Sequence, residues 1–260
     1  MAPPAQDRDM RAEDLIAIGY HRAEAARILQ LLSHREQLQW YLQKGSQRDC
    51  HPITRLSPAY PYRLRQTLGL DSPSSLWYKG DPVLLEKPAV ALVGSRDLKP
   101  ENQDFAWEVG RQAAQQGFTL ISGNARGSDR VAQQSCLDHG GTVISVVADR
   151  LEKCPVQHSI LFLAEDGFDL DFSAPRALLR NRIIHALAQK VFVAQIRAGK
   201  GGTWDGSIRN LRHGWSPVFC YDDNSPGFQE LVQMGAVPVT RNSLADISSL
   251  KSNSMRFIDQ

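Results

Sequence analysis

Phe118-Thr-Leu-Ile-Ser-Gly-Asn-Ala-Arg-Gly-Ser-Asp-Arg-Val-Ala-Gln-Gln-Ser-Cys-Leu137 decides the fold. Phe118 to Ile121 reads as a strand, Gly123 and Gly127 turn the chain, and Ser128 or Asp129 is a natural N-cap for a helix over 129–137. The same unit recurs on both sides. Ala89 to Val93 is a continuous apolar run, as expected of a strand covered on both faces. The helix that follows, Asn102 to Gln116, carries Phe105, Ala106, Val109 and Ala113 on one face and stops at Gly117. Further on come strand Thr142 to Val147, a helix over Ile183 to Ala188 feeding strand Val191 to Ala194, and helix Trp204 to Leu211 before strand Val218 to Cys220. Helix Phe228 to Met234 then precedes Gly235-Ala-Val-Pro-Val239. Strands alternating with helices define an α/β chain with a wound parallel sheet.

Upstream, Ala12 to Gln43 is helical in pattern, with Leu15, Ile16, Ala25, Ile28, Leu29, Leu32 and Leu38 supplying apolar positions and Gly19 interrupting them. Two or three short helices are expected. Closely spaced prolines in Ile53 to Tyr62 oppose regular structure, and Leu76-Trp-Tyr-Lys-Gly-Asp81 is strand-like. The organisation expected is a small helical region over 1–52, the sheet domain over 53–240 and a loose tail over 241–260.

The 42% hydrophobic share suffices for a core, and no run approaches the ~20 apolar residues of a membrane span. The first residues lack the apolar centre of a signal peptide, so a soluble, cytoplasmic protein is expected. Cys50, Cys136, Cys154 and Cys220 are scattered, without a C-x-x-C pair or a histidine at metal-ligand spacing, and neither metal nor cofactor is expected. A net charge of +2 excludes a uniformly basic coat for nucleic acid. Any polyanion site must be a local concentration of arginine and lysine.

Four segments supply one. In an open parallel sheet ligands bind outside the carboxyl ends of the strands, where helix N-termini offer free N–H groups to anions. In Val93-Gly-Ser-Arg96, Gly94 lets backbone approach a ligand, Ser95 offers a hydroxyl and Arg96 a two-pronged contact. Ser122-Gly-Asn-Ala-Arg-Gly-Ser-Asp129 adds Ser122, Gly123, Arg126 and Gly127, with Asp129 able both to cap and to hold Arg126. Leu179-Arg-Asn-Arg-Ile-Ile184 reads as a helix start, where cations oppose the dipole and an outside anion would relieve the conflict. Arg180 and Arg182 do not share a face; Arg182, with Asn181, is expected at the crevice. Gly199-Lys-Gly-Gly-Thr-Trp-Asp-Gly206 lacks P-loop order, yet Lys200, Gly201, Gly202 and Thr203 suit a phosphate, and Trp204 is a candidate to stack on a base. Taken singly, each segment also reads as a turn with a solvated cation. No Ser/His/Asp set stands out, and no catalytic residue is assigned.

In order and spacing these segments resemble the DNA-processing protein A family, also called Smf. The resemblance spans about Leu56 to Val239 and includes Tyr60-Pro61, Leu76 to Asp81, the Gly140-Gly141 turn and Arg180-Asn-Arg-Ile-Ile184. It implies an extended Rossmann core that binds single-stranded DNA, protects it, delivers it to a RecA-type recombinase in DNA uptake or recombination, and forms a homodimer. It also places phosphate contacts on Ser95, Arg96, Gly123, Arg126, Gly127, Arg182 and the Lys200 to Thr203 loop. The chain departs from the family in having Gly-Ser-Asp for Gly-Ile-Asp and Gly-Gly-Thr-Trp for Ser-Gly-Ser/Thr, and it is expected to lack the winged helix that many members append. The Gly-Gly-Thr stretch is also similar to the signature of cytokinin-activating phosphoribohydrolases. The second reading is therefore a nucleotide-binding protein or nucleoside-monophosphate N-glycosidic hydrolase, with Arg126 on phosphate and Asp205 or Asp129 as acid/base or ribose ligand. Nucleotide sensing in phage defence is a further role open to it.

Overall fold

The computed structural model describes residues 9–252. Contacts divide the chain between Arg48 and Asp49 into two compact units. The first holds helices α1 (Ala12–Ala17), α2 (Arg22–Leu32) and α3 (Arg35–Ser46). Acidic residues start the first two: Asp14 accepts the Arg11 N–H and Glu24 the His21 N–H, each at 2.9 Å. Gly19, at φ 105°, breaks the chain between α1 and α2, as its place in the sequence suggests.

The second unit is a wound sheet. Its strands are β1 (His51–Thr54), β2 (Ser75–Lys79), β3 (Ala89–Val93), β4 (Thr119–Ser122), β5 (Val143–Val146), β6 (Ile160–Ala164), β7 (Lys190–Val193), β8 (Val218–Tyr221) and β9 (Val237–Val239). Its helices are α4 (Tyr62–Leu68), α5 (Pro100–Gln115), α6 (Ser128–Asp138), α7 (Ala174–Leu187), α8 (Gly202–His213) and α9 (Pro226–Gln233). Among the described residues the nine strands run in the order β1-β2-β6-β5-β4-β3-β7-β8-β9. From β6 to β9 every pairing is parallel, whereas β1 and β2 run antiparallel. The expected α/β wound sheet is therefore present, with an antiparallel pair at one side.

Strand periodicity sets the two layers. Ala89, Ala91 and Val93 of β3, with Ile121, Ile144 and Val191, join the core that includes Leu64, Ile183, Ile184 and Ile208 of α4, α7 and α8. The alternate residues Val90, Leu92, Leu120 and Phe192 are also fully buried, on the side packed by α5 and α6. Because both faces are covered, the central strands read as unbroken apolar runs.

The sequence expectation misses β1, β6 and α4. Ile160-Leu-Phe-Leu-Ala164 is wholly buried, and such a short run carries no periodicity to separate strand from helix. Pro52 lies in β1 because that strand is at the edge, where a missing N–H is tolerated. The expected loose tail is corrected as far as Ser252: Leu244 and Ile247 are buried. Gln116 Nε2 donates to the Leu244 carbonyl at 2.8 Å, and its Oε1 accepts the Ile247 N–H at 2.8 Å. The rest of the tail lies outside the described residues.

A buried polar network joins α7 to α8. Asn210 Nδ2 lies 3.0 Å from His185 Nδ1, and Asn210 Oδ1 accepts the Ser216 N–H at 2.8 Å. Burial holds the His185 imidazolium far below its usual range, at a pKa of about 4. On acidification the unfolded chain takes up this proton first, so stability is full above pH 6.5 and falls as the pH drops towards about 4. Urea denaturation should show this group removing up to about 3 kcal/mol across that window. A His185→Gln variant should lack that part of the slope.

Candidate functional site

The chain leaves β3 towards β4, β5 and β6 on one side and leaves β7 towards β8 and β9 on the other. The carboxyl ends of β3 and β7 therefore flank a topological switch point, where open α/β sheets bind ligands. Two adjoining clefts lie there, of about 750 and 440 Å³. The larger runs past the ends of β4 and β5. The smaller lies between the β3 and β7 loops, α7 and the start of α8. Arg96, Ala125, Phe172 and Arg180 line both.

Gly94 and Ser95 are placed by backbone contacts across the switch point. The Ser95 N–H donates to the Gln195 carbonyl at 3.1 Å, and its own carbonyl accepts the Ser128 N–H at 3.2 Å and hydroxyl at 2.9 Å. A side chain on Gly94 would overlap Ser128. Arg96 is exposed and open to both clefts.

In the second segment Asp129 organises the loop. Its Oδ2 accepts the N–H groups of Gly123 at 3.0 Å and Ala125 at 3.1 Å. Burial pushes its carboxyl above the ordinary carboxylate range, against the opposing pull of Arg180 and these two N–H groups. Arg126 is exposed in the larger cleft. Gly127, at φ 79°, lies against the Arg96 carbonyl; it shapes the turn and lines neither cleft. Ser122 is corrected too, being buried with its hydroxyl accepting from Gln133.

The third segment reverses the expectation. α7 begins at Ala174, capped by Ser173, whose Oγ accepts the Arg176 N–H at 3.3 Å. Arg180 and Arg182 consequently sit in mid-helix, and the dipole argument does not apply to them. They do diverge, but Arg180 is the one at the crevice. It is 9% exposed, it donates to the Val146 carbonyl and to the Ala177 carbonyl at 3.3 Å, and its guanidinium fills the space over Gly123. Burial lowers its pKa while Asp129 opposes that shift, yet no carboxylate lies within ion-pair distance among the described residues. Arg182 instead makes a two-pronged pair with Glu165, with Nη1 to Oε2 at 2.8 Å, away from both clefts. Asn181 lines the smaller cleft and donates to the Gly202 carbonyl at 3.1 Å.

Lys200, Gly201, Gly202 and Thr203 form the far wall of the smaller cleft. Thr203 Oγ1 donates to the Gly94 carbonyl at 3.0 Å. Gly201 caps α8 without a side chain, which leaves the first-turn N–H groups open. Trp204 packs on the core instead of offering a stacking face. Asp205 pairs with Arg209 at 3.3 Å and lines neither cleft, so the hydrolase reading lacks that acid at the crevice.

Sequence reasoning omits Arg130, Arg150, Lys153 and Arg197, which line the clefts, and Phe172, which stands 53% exposed between them. Arg150 and Lys153 follow β5, so the rule about strand ends would have found them. In all, eight cationic side chains line the clefts against the three carboxylates of Asp97, Asp129 and Asp149. The positive charge that the whole chain barely shows is concentrated there.

Known proteins share this architecture. A model of the family described as DNA recombination-mediator protein A matches residues 51–249. DNA processing protein DprA of Streptococcus pneumoniae is 31% identical over 201 residues, which cover 71% of this chain and 69% of that protein. The crystal structure of the pneumococcal DprA superimposes with a TM-score of 0.74 at 26% identity, over 92% of this chain and 86% of the other. DNA processing protein A from Helicobacter pylori, itself a single-stranded DNA binder, shares the fold with a TM-score of 0.61 at 24% identity, over 73% of this chain and 90% of that one. Across the curated relatives it matches, the chain spans between 48% and 69% of their length. With the whole wound sheet inside the matched region, the chain belongs to the DNA recombination-mediator protein A family of DNA-processing proteins.

Proposed function

We propose that this chain binds single-stranded DNA along the two clefts. The observation that carries the reading is Arg180, a buried guanidinium with no carboxylate partner among the described residues, at the junction of clefts lined by eight cations. A buried charge without a counterion is costly, and an entering phosphate supplies the counterion. Arg96, Arg126, Arg180 and Lys200 are assigned to phosphates, with the Ser95 hydroxyl and the N–H groups of Gly201, Gly202 and Thr203 as neutral donors. Gly94 makes room for Ser128 and Gly123 for the Arg180 guanidinium, Asp129 holds the loop, and Asn181 fixes the Gly202 turn. Phe172 offers a ring for a base to stack on, a contact that tolerates any sequence. The H. pylori relative binds the same ligand. Family membership supports the wider role as well: protection of the strand in the cytoplasm, delivery to a RecA-type recombinase and a homodimer. No helix of the described residues is long and apolar enough to cross a membrane.

Fluorescence anisotropy with oligothymidylates of increasing length tests the reading. Affinity should rise with length until the clefts are filled and fall steeply with salt, by about 0.7 in log–log slope for each phosphate contacted. Arg126→Ala should flatten that slope by about one such unit, with little change among sequences. Binding that saturates at a single nucleotide would refute a strand-length groove.

The two α7 arginines give a sharper comparison. Arg180→Ala should weaken binding by about tenfold or more, because a charge-assisted contact is lost from a desolvated site. Arg182→Ala should leave affinity nearly unchanged and instead lower the melting temperature, since it leaves the half-buried Glu165 without its partner. Equal losses of affinity in both variants would contradict the placement of Arg180.

A further inference from the structure

The smaller cleft has a floor that the larger lacks. His185 is 1% exposed and yet lines it. Asn210 cannot rotate freely, because its Oδ1 takes the Ser216 N–H, so its Nδ2 donates to His185 Nδ1. The ring proton therefore sits on Nε2. That N–H has no hydrogen-bond partner among the described residues. The opposite, Nε2 edge of the ring lies towards Gly206 and next to Asn181, which like His185 lines the smaller cleft. A side-chain carbon on Gly206 would stand 3.0 Å from Nε2, so the glycine is what leaves room for the imidazole.

Other donors converge on the same volume. The first turn of the twelve-residue α8 has no side-chain cap, and Lys200, Arg96 and Arg180 surround it. Its 440 Å³ falls within the range of small-ligand pockets, roughly 300–1,000 Å³. An internal phosphodiester carries one charge and must leave such a pocket on two sides. A terminal phosphate carries about −1.5 to −2 and presents three acceptor oxygens, which suits donors arriving from α7, α8 and the β3 loop together.

We propose that the smaller cleft is a pocket for a phosphomonoester, the terminal phosphate of a free nucleotide or of a DNA strand end, with His185 Nε2–H as a fixed neutral donor to it. This rests on the reading of that cleft as phosphate-binding, and it adds a preference for ends that a uniform groove would not have. Burial keeps the imidazole neutral, so it donates a hydrogen bond without adding charge.

The test titrates the full chain with thymidine monophosphate and with thymidine by calorimetry. In parallel, anisotropy compares oligothymidylates carrying a 5′-phosphate, a 3′-phosphate or neither. The expected result is binding of the monophosphate but not the nucleoside, or a preference of about tenfold or more for a phosphorylated end. Nucleotide binding without an end preference assigns the pocket to free nucleotides; the reverse assigns it to strand ends. His185→Gln, whose amide nitrogen keeps a donor near the Nε2 position, should retain the effect. His185→Asn, which keeps only the group facing Asn210, should lose it, with thermal melts confirming that both variants fold. The absence of both nucleotide binding and an end preference overturns the proposal, as does an Asn variant that behaves as wild type. Loss of binding to unmodified strands, with the monophosphate still bound, would instead count against the groove alone.

Discussion

The site depends on holding a guanidinium inside the protein without neutralising it. Arg180 is anchored by main-chain carbonyls at Val146 and Ala177 and lies over Gly123. Its nearest balancing charge, Asp129, acts through the field and not by contact. Asp129 in turn holds the Gly123 and Ala125 N–H groups. The end of β5, the loop after β4 and the middle of α7 are thus fixed around one cation. Gly123 is the structural condition for this arrangement, since any side chain there would collide with the guanidinium.

Charge elsewhere is managed in the opposite way. The segment after β6 carries Glu165, Asp166 and Asp171, which pair with Arg182, Arg176 and Arg150. Two of these arginines stay outside the clefts, and Arg150, which lines the larger one, is partly engaged. The acidic segment thereby cancels positive charge beside the clefts while Arg96, Arg126 and Lys200 stay exposed. This is how a chain of net charge +2 presents a strongly cationic groove.

Much of this was legible in the residues. The alternation of apolar runs with amphipathic helices gave the wound sheet, and glycines at strand ends located the Gly94, Gly123 and Lys200–Thr203 loops. What failed did so for local reasons. The start of α7 is signalled by Ser173-Ala-Pro175, seven residues before Arg180, and a start misplaced at Arg180 invites the wrong arginine. Trp204, inside a glycine-rich loop, reads as exposed until α8 is seen to begin at Gly202 and turn its ring to the core. The Leu244 and Ile247 contacts depend on Gln116, far away in sequence, and no local pattern announces such a partnership.

The prolines at the two margins of the sheet set a limit on assembly. Pro52 lies in β1 and Pro238 in β9, the outermost strands. Proline offers no N–H, so neither margin can act as a complete template for an incoming strand. Each margin is thereby one donor short of the ladder that an incoming strand would need, which disfavours growth of the nine described strands by edge-to-edge pairing.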